Sequence, residues 1–207
     1  MIANEQSQAH LAAGNAYRSQ MRSWDNQSEC FDYTIVGAEK DAKFSLEAAS
    51  HYIKVPALPQ AQNILIAGAD TLVLAGMGTH LIDQIEKLSA LVPLEPWLEV
   101  YRTHHWLDSG SEAEQNKAYK VLSNLAKNSD PKVASAALIV AARGHFHRHD
   151  YIGAEEGFRQ SLEIKLRMEP KDIRGAAFIL NELAHICIHT RGEYKEALAL
   201  HREALSM

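Results

Sequence analysis

The chain has 207 residues, of which 46% are hydrophobic and 23% are charged, an ordinary composition for a globular protein. Its net charge of −5 argues against a nucleic-acid-binding surface, which is usually basic. The polar residues 1–8 do not form an ordinary signal peptide, and no apolar run approaches the roughly 20 residues that span a bilayer. We therefore expect a cytoplasmic protein that contacts neither nucleic acid nor membrane.

Residues 1–58 are the least regular part of the chain and predict an irregular pair of helices, over Ser7–Arg22 and Glu29–Ile53. One of the two cysteines, Cys30, lies in this segment, 157 positions before Cys187. The two make no metal-binding spacing, so both are expected to be reduced thiols.

From residue 59 onward, prolines and turn residues divide the chain at regular intervals. All six prolines fall into four clusters, whose last members are 37, 35 and 39 residues apart: Pro56 and Pro59, Pro93 and Pro96, Pro131, and Pro170. Because proline breaks helix interiors, this spacing indicates a repeated supersecondary unit. Turn residues divide the three intervals near their middles, at Gly76 and Gly78, Ser109 and Gly110, and His149 and Asp150. Arg191 and Gly192 divide the final segment in the same way. The pattern predicts four helical hairpins that form one continuous array, at about 59–92, 95–128, 132–168 and 171–206.

The last two hairpins match each other at an offset of 43 residues. Small, apolar and aromatic residues recur at corresponding positions: Val140 and Leu183, Ala141 and Ala184, Tyr151 and Tyr194, Ala154 and Ala197. Their spacing of three and four residues is typical of a helix face that packs on neighbours. The match is imperfect at two positions, where Asn181 corresponds to Leu138 and His201 to Phe158.

The motifs Leu180-Asn181-Glu182-Leu183-Ala184, Arg191-Gly192-Glu193-Tyr194 and Arg202-Glu203-Ala204-Leu205 resemble the tetratricopeptide repeat family. The likeness is to its longer repeats, as in kinesin light chains and in bacterial signalling ATPases related to the maltose-operon activator. It is most specific over Lys132–Met207 and weakest over Met1–Val55. The resemblance implies an all-α, right-handed α-α superhelix of antiparallel hairpins.

An alternative interpretation concerns the segment Thr71–Leu81, which contains Gly76-Met77-Gly78. An apolar strand that leads into a glycine loop would bind a nucleotide-type cofactor, as in a methyltransferase-like enzyme. A dinucleotide fingerprint needs a third glycine where Leu81 stands, and the sequence offers no further strand for a parallel sheet. The turn of a helical hairpin explains both glycines, so we expect no enzyme and no cofactor.

Histidines are abundant, eleven in all, and two pairs have helical spacing: His145 with His149, and His185 with His189. A metal site would need a third ligand beside either pair, and no metal is predicted.

The resemblance implies that the first helix of each hairpin lines a concave surface that binds partners. In the family, an asparagine at the position of Asn181 often holds a peptide backbone. His185, His189 and His145 are the further candidates on the first helices. We therefore expect a protein-interaction module, a scaffold or sensor segment of a larger signalling or regulatory protein. Since His201 replaces Phe158, we also expect the last hairpin to pack poorly. Its uncapped end, near His201–Met207, is the expected site of any self-association.

Overall fold

The computed structural model describes residues 2–20, 24–25, 30–31, 38–55 and 57–207. This part of the chain forms ten α-helices and one pair of two-residue antiparallel strands. In chain order the elements are α1 Ile2–Ser19, β1 Trp24–Asp25, β2 Cys30–Phe31, α2 Ala38–Lys54, α3 Leu58–Leu74, α4 Gly78–Ser89, α5 Pro96–Ser109, α6 Glu112–Leu125, α7 Pro131–His147, α8 Tyr151–Arg167, α9 Ile173–Arg191 and α10 Tyr194–Ser206. The predicted all-helical class is confirmed. Successive helices pack together in the pairs α1–α2, α2–α3, α3–α4, α6–α7, α7–α8, α8–α9 and α9–α10. Within the described ranges, no helix has the length and hydropathy needed to cross a membrane.

The chain divides into two compact units, Met1–Arg102 and Thr103–Met207. The predicted hairpin 59–92 lies in the first unit, and the hairpins 132–168 and 171–206 lie in the second. The hairpin 95–128 is shared between them, because the division falls inside α5.

Glycine and proline end or begin the helices where the sequence indicates. Gly76 follows α3 with φ +73°, and Gly192 follows α9 with φ +63°, a left-handed conformation that glycine adopts without a steric penalty. Pro131 stands in the first turn of α7, where a missing N–H costs nothing. The N-terminal prediction is less accurate, because α2 begins at Ala38 rather than at Glu29. Residues 21–23, 26–29 and 32–37 lie outside the described part of the chain.

The core of the first unit joins α2, α3 and α4 to α1. Its largest fully buried side chains include Tyr52, Ile64, Leu65, Leu81 and Ile85. The Tyr52 hydroxyl donates a hydrogen bond of 2.8 Å to Oδ1 of Asn15 on α1. Because a Cβ at Gly14 would lie 2.7 Å from the Tyr52 ring, this glycine lets α1 and α2 approach closely.

A pair of histidines lies between α1 and α2 in the first unit. Nδ1 of His10 and Nδ1 of His51 lie 2.9 Å apart, and Tyr17 stacks on the His51 ring. Burial lowers the pKa of His51, the charges of Lys54 and His10 lower it further, and Glu47 opposes them. The pKa of His51 is therefore lower in the folded state than in the unfolded state. Neutral His51 contributes fully to the stability of the fold above about pH 6.5, and this contribution is lost as the pH falls through the lowered pKa.

We therefore expect the first unit of His51→Asn to lose less stability than that of the wild type between about pH 7.5 and pH 5.5, because the asparagine side chain does not titrate. Hydrogen exchange of α1 and α2 peptides in urea measures this stability within the first unit. His80→Asn, an exposed histidine of the same unit, is the control and should retain the wild-type pH dependence. An unchanged pH dependence in His51→Asn would contradict the assignment.

One apolar cluster of the second unit lies where α7, α8 and α9 meet. Its buried members are Ala142, Ala154, Phe158, Ile179, Leu183 and Ile186. A buried hydrogen bond of 2.8 Å between the hydroxyls of Ser135 and Ser161 also joins α7 to α8. Aspartates cap the helices: Asp130 accepts from the N–H of Lys132, and Asp172 from the N–H of Gly175. Helix α8 thus packs against both α7 and α9.

Candidate functional site

Helix α9 has two faces of opposite character. One is buried and consists of Ala176, Ile179, Leu180, Leu183, Ala184, Ile186 and Cys187. The other carries four exposed side chains at helical spacing: Phe178, Asn181, His185 and His189. Three of these were predicted as partner-binding residues, and the helix brings all three to one solvent-facing side. Their side chains nevertheless contact different neighbours.

The α7–α9 surface, which we define as Arg143, Phe146, Phe178, Glu182 and His189, is where the exposed faces of the two helices meet. The Arg143 guanidinium lies over the Phe178 ring, 5.1 Å from its centre, and 3.5 Å from Oε1 of Glu182. The His189 ring meets Phe146 edge to face, with centres 6.0 Å apart. These side chains stay partly exposed: 40% for Arg143, 28% for Glu182 and 37% for Phe178. The surface therefore offers aromatic faces, a guanidinium and a carboxylate to solvent.

The histidine cluster, which we define as Asn181, His185 and His201, joins α9 to α10. Nδ1 of His201 lies 2.8 Å from Oδ1 of Asn181. Since a carboxamide oxygen only accepts, the His201 ring donates from Nδ1. The His185 ring meets that of His201 edge to face at 6.3 Å. The Asn181 oxygen, expected to serve a peptide backbone, is thus already bonded to a side chain that follows it by 20 positions.

His145 lies apart from both groups, on the side of α7 that faces α6. Its Nδ1 is 2.7 Å from a carboxylate oxygen of Asp150, and its ring centre is 4.8 Å from that of Tyr119. The hydrogen bond from the backbone N–H of Gly153 is the main cause that lowers the pKa of Asp150; burial opposes it, and the charge and hydrogen bond of His145 lower the pKa further. His145 therefore has a partner in the α7–α8 turn.

The predicted pairing of His145 with His149 on one helix face is wrong, because α7 ends at His147. His149 follows with a left-handed backbone, φ +61°, and its ring contacts Tyr151 instead. The second pair does share a face of α9, but the His185 ring contacts His201 and the His189 ring contacts Phe146.

The strand that the alternative interpretation of the glycine loop requires is not formed, since Thr71–Leu74 is the last turn of α3. Gly76 ends this helix and α4 begins at Gly78, so the two glycines occupy a turn between helices, as the hairpin prediction requires. A Cβ at either glycine would meet nothing within 4 Å, so neither is required for a close approach. The only sheet in the described ranges is the antiparallel pair β1–β2.

One grouping of ligand-type side chains escaped the sequence analysis. Ligand atoms of Cys187, Glu193 and Glu196 lie within 4.8 Å of one another. The way α9 ends explains it: the N–H groups of Gly192 and Glu193 both donate to the Cys187 carbonyl, which brings the start of α10 back towards this residue. Cys187 itself is a buried thiol.

Sequence reasoning also missed Arg143, Phe146 and Phe178. The sequence carried one signal for Phe178, because the residue 43 positions earlier is Ser135, so an aromatic side chain corresponds to a small polar one.

The chain matches no protein-family model, no curated protein and no solved structure. Its resemblance to tetratricopeptide repeats rests on the motifs and on the correspondence between its last two hairpins.

Proposed function

We propose that the chain is an interaction module whose α7–α9 surface binds an extended segment of a partner protein. The observation that carries this proposal is the exposed face of α9, where Phe178 contacts Arg143 while the opposite face is buried in the core. Aromatic and arginine side chains that stay accessible are the residue types that dominate protein interfaces. Glu182 and His189 add hydrogen-bonding groups that an extended backbone or its side chains would use.

We further propose that α7–α8 and α9–α10 are successive repeats of a tetratricopeptide-like, right-handed superhelix. Several features recur at the offset of 43. Left-handed residues, His149 and Gly192, precede the second helix of each hairpin. Ala154 and Ala197 are both buried near the start of that helix. On this view the chain serves as a cytoplasmic scaffold or sensor segment of a larger regulatory protein, with binding rather than catalysis as its role.

Site-specific photo-crosslinking tests the proposal. A benzophenone amino acid at position 178 should form a discrete adduct with a partner protein, mapped by mass spectrometry to one short segment of that partner. The same group at position 152 is the matched control, because Ile152 is 83% exposed but lies on α8. Adducts at 152 that equal those at 178, or none at 178, would remove the α7–α9 surface as the binding site.

A further inference from the structure

The end of α9 and the start of α10 bring three metal-binding side chains together. Cys187 is 3% exposed and lies on the buried face of α9, in a small apolar cluster with Ala184 and Ala197. Glu193 is the N-cap residue of α10, and Glu196 lies in the first turn of that helix. The thiol sulfur and one oxygen of each carboxylate are all within 4.8 Å of one another. The three donors thus come from both helices and meet at the edge of a buried cluster.

Neither the repeat nor the helix cap requires these three side chains. At the offset of 43, Cys187 stands where the preceding hairpin has Gly144. Glu196 likewise stands where that hairpin has Gly153. Glu193 occupies the N-cap position, but its side chain accepts no capping hydrogen bond from α10. Two glycines of one hairpin are therefore replaced in the next by a thiol and a carboxylate that approach each other.

The mixture of donors selects among metal ions. Mg²⁺ and Ca²⁺ prefer ligands that are all oxygen, whereas Cu⁺ prefers sulfur. Zn²⁺ binds thiolate at about 2.3 Å and carboxylate at about 2.0–2.2 Å, and three protein ligands leave its fourth position to water. Donors at these distances in a tetrahedron are about 3.5 Å apart, so an approach of roughly 1 Å from the present spacing forms the site. Glu196 is exposed, so its side chain can make this movement.

We propose that Cys187, Glu193 and Glu196 bind a zinc ion that links the end of α9 to the start of α10. Coordination replaces the thiol proton, which is released to solvent, so that a thiolate and two carboxylates surround the dication. Because Cys187 is almost fully buried, water screens this attraction less than it would on an open surface. The site lies on the face of α9 opposite Phe178, so the inference does not depend on the function proposed for the α7–α9 surface.

Cobalt substitution tests the proposal, because Co²⁺ accepts the same ligands and its absorption spectrum identifies them. Added to the full chain with a phosphine reductant, Co²⁺ should produce the near-ultraviolet band that only sulfur ligation gives, with a dissociation constant below about 100 µM. Zn²⁺ binds thiolate sites more tightly than Co²⁺ and should abolish the band. The band is specific, because the eleven histidines can bind metal without contributing to it.

Cys187→Ser should remove the band, whereas Cys30→Ser, at the other cysteine, should retain it. Glu196→Gln should weaken cobalt binding about tenfold or more, while Glu203→Gln, also exposed on α10, should leave it unchanged. These two glutamate variants decide the question if Cys187→Ser does not fold, because both positions are exposed. At about ten times its dissociation constant, Zn²⁺ should also slow hydrogen exchange of α10 amides about tenfold.

The proposal is overturned if about 1 mM Co²⁺ produces no sulfur band in the full chain. It is equally overturned by a band that Cys187→Ser retains or Cys30→Ser loses, or by wild-type affinity in Glu196→Gln. Zinc that leaves the hydrogen exchange of α10 unchanged overturns the link between the two helices.

Discussion

Replacing Phe158 with alanine should destabilise the second unit by about 3–5 kcal/mol, whereas His201→Ala at the corresponding position should cost no more than about 1 kcal/mol. Phe158 is 1% exposed and fills the cluster between α7, α8 and α9. Its removal leaves a cavity that the surrounding helices close only in part. His201 is half-buried and loses one hydrogen bond, to Asn181, whose amide can then turn towards water.

Urea-dependent hydrogen exchange in peptides from α8 and α9 measures this difference, because it follows the second unit without a signal from the first. Ile152→Ala, an exposed apolar truncation on α8, serves as the control and should change the free energy of unfolding by less than about 0.5 kcal/mol. If His201→Ala were as destabilising as Phe158→Ala, the histidine would be a core residue like Phe158, which would contradict this prediction.

The helices and their turns could be predicted because their signals are local. Proline restricts its own φ, glycine adopts a left-handed conformation without a steric penalty, and an apolar stripe at spacings of three and four needs no knowledge of its partner. The end of α9 at Gly192 and the start of α7 at Pro131 follow directly. His149 shows the limit of this logic, because a histidine occupies the left-handed position that Gly192 has in the next hairpin.

The side-chain contacts at the candidate site could not be predicted, because they depend on how neighbouring helices are rotated. Helical spacing placed Asn181, His185 and His189 on one face of α9, which the structure confirms. Nothing in that spacing shows that Asn181 bonds to His201, or that Phe178 lies under Arg143. Such pairs bring together residues that are 20 and 35 positions apart, on helices whose relative rotation is set by the buried cores of both.

Phe178→Ala should weaken binding of the partner segment about 30-fold or more while changing the stability of the second unit by less than about 1 kcal/mol. The ring is more than one-third exposed, so its removal leaves no closed cavity. In a complex it would be covered, and the cation–π contact with Arg143 would be shielded from water and so strengthened. Fluorescence anisotropy with the segment identified by crosslinking measures the affinity, and urea unfolding measures the stability.

Arg143→Ala provides an internal check on this argument, since it removes the group above the ring but leaves the ring in place. Its effect on affinity should not add to that of Phe178→Ala, because the two side chains contact each other and would act as one unit. Ile152→Ala should bind the segment with wild-type affinity. Unchanged affinity in Phe178→Ala would mean that the crosslink reports proximity at the edge of an interface. The binding energy would then come from elsewhere on the chain, and the histidine cluster would be the next surface to truncate.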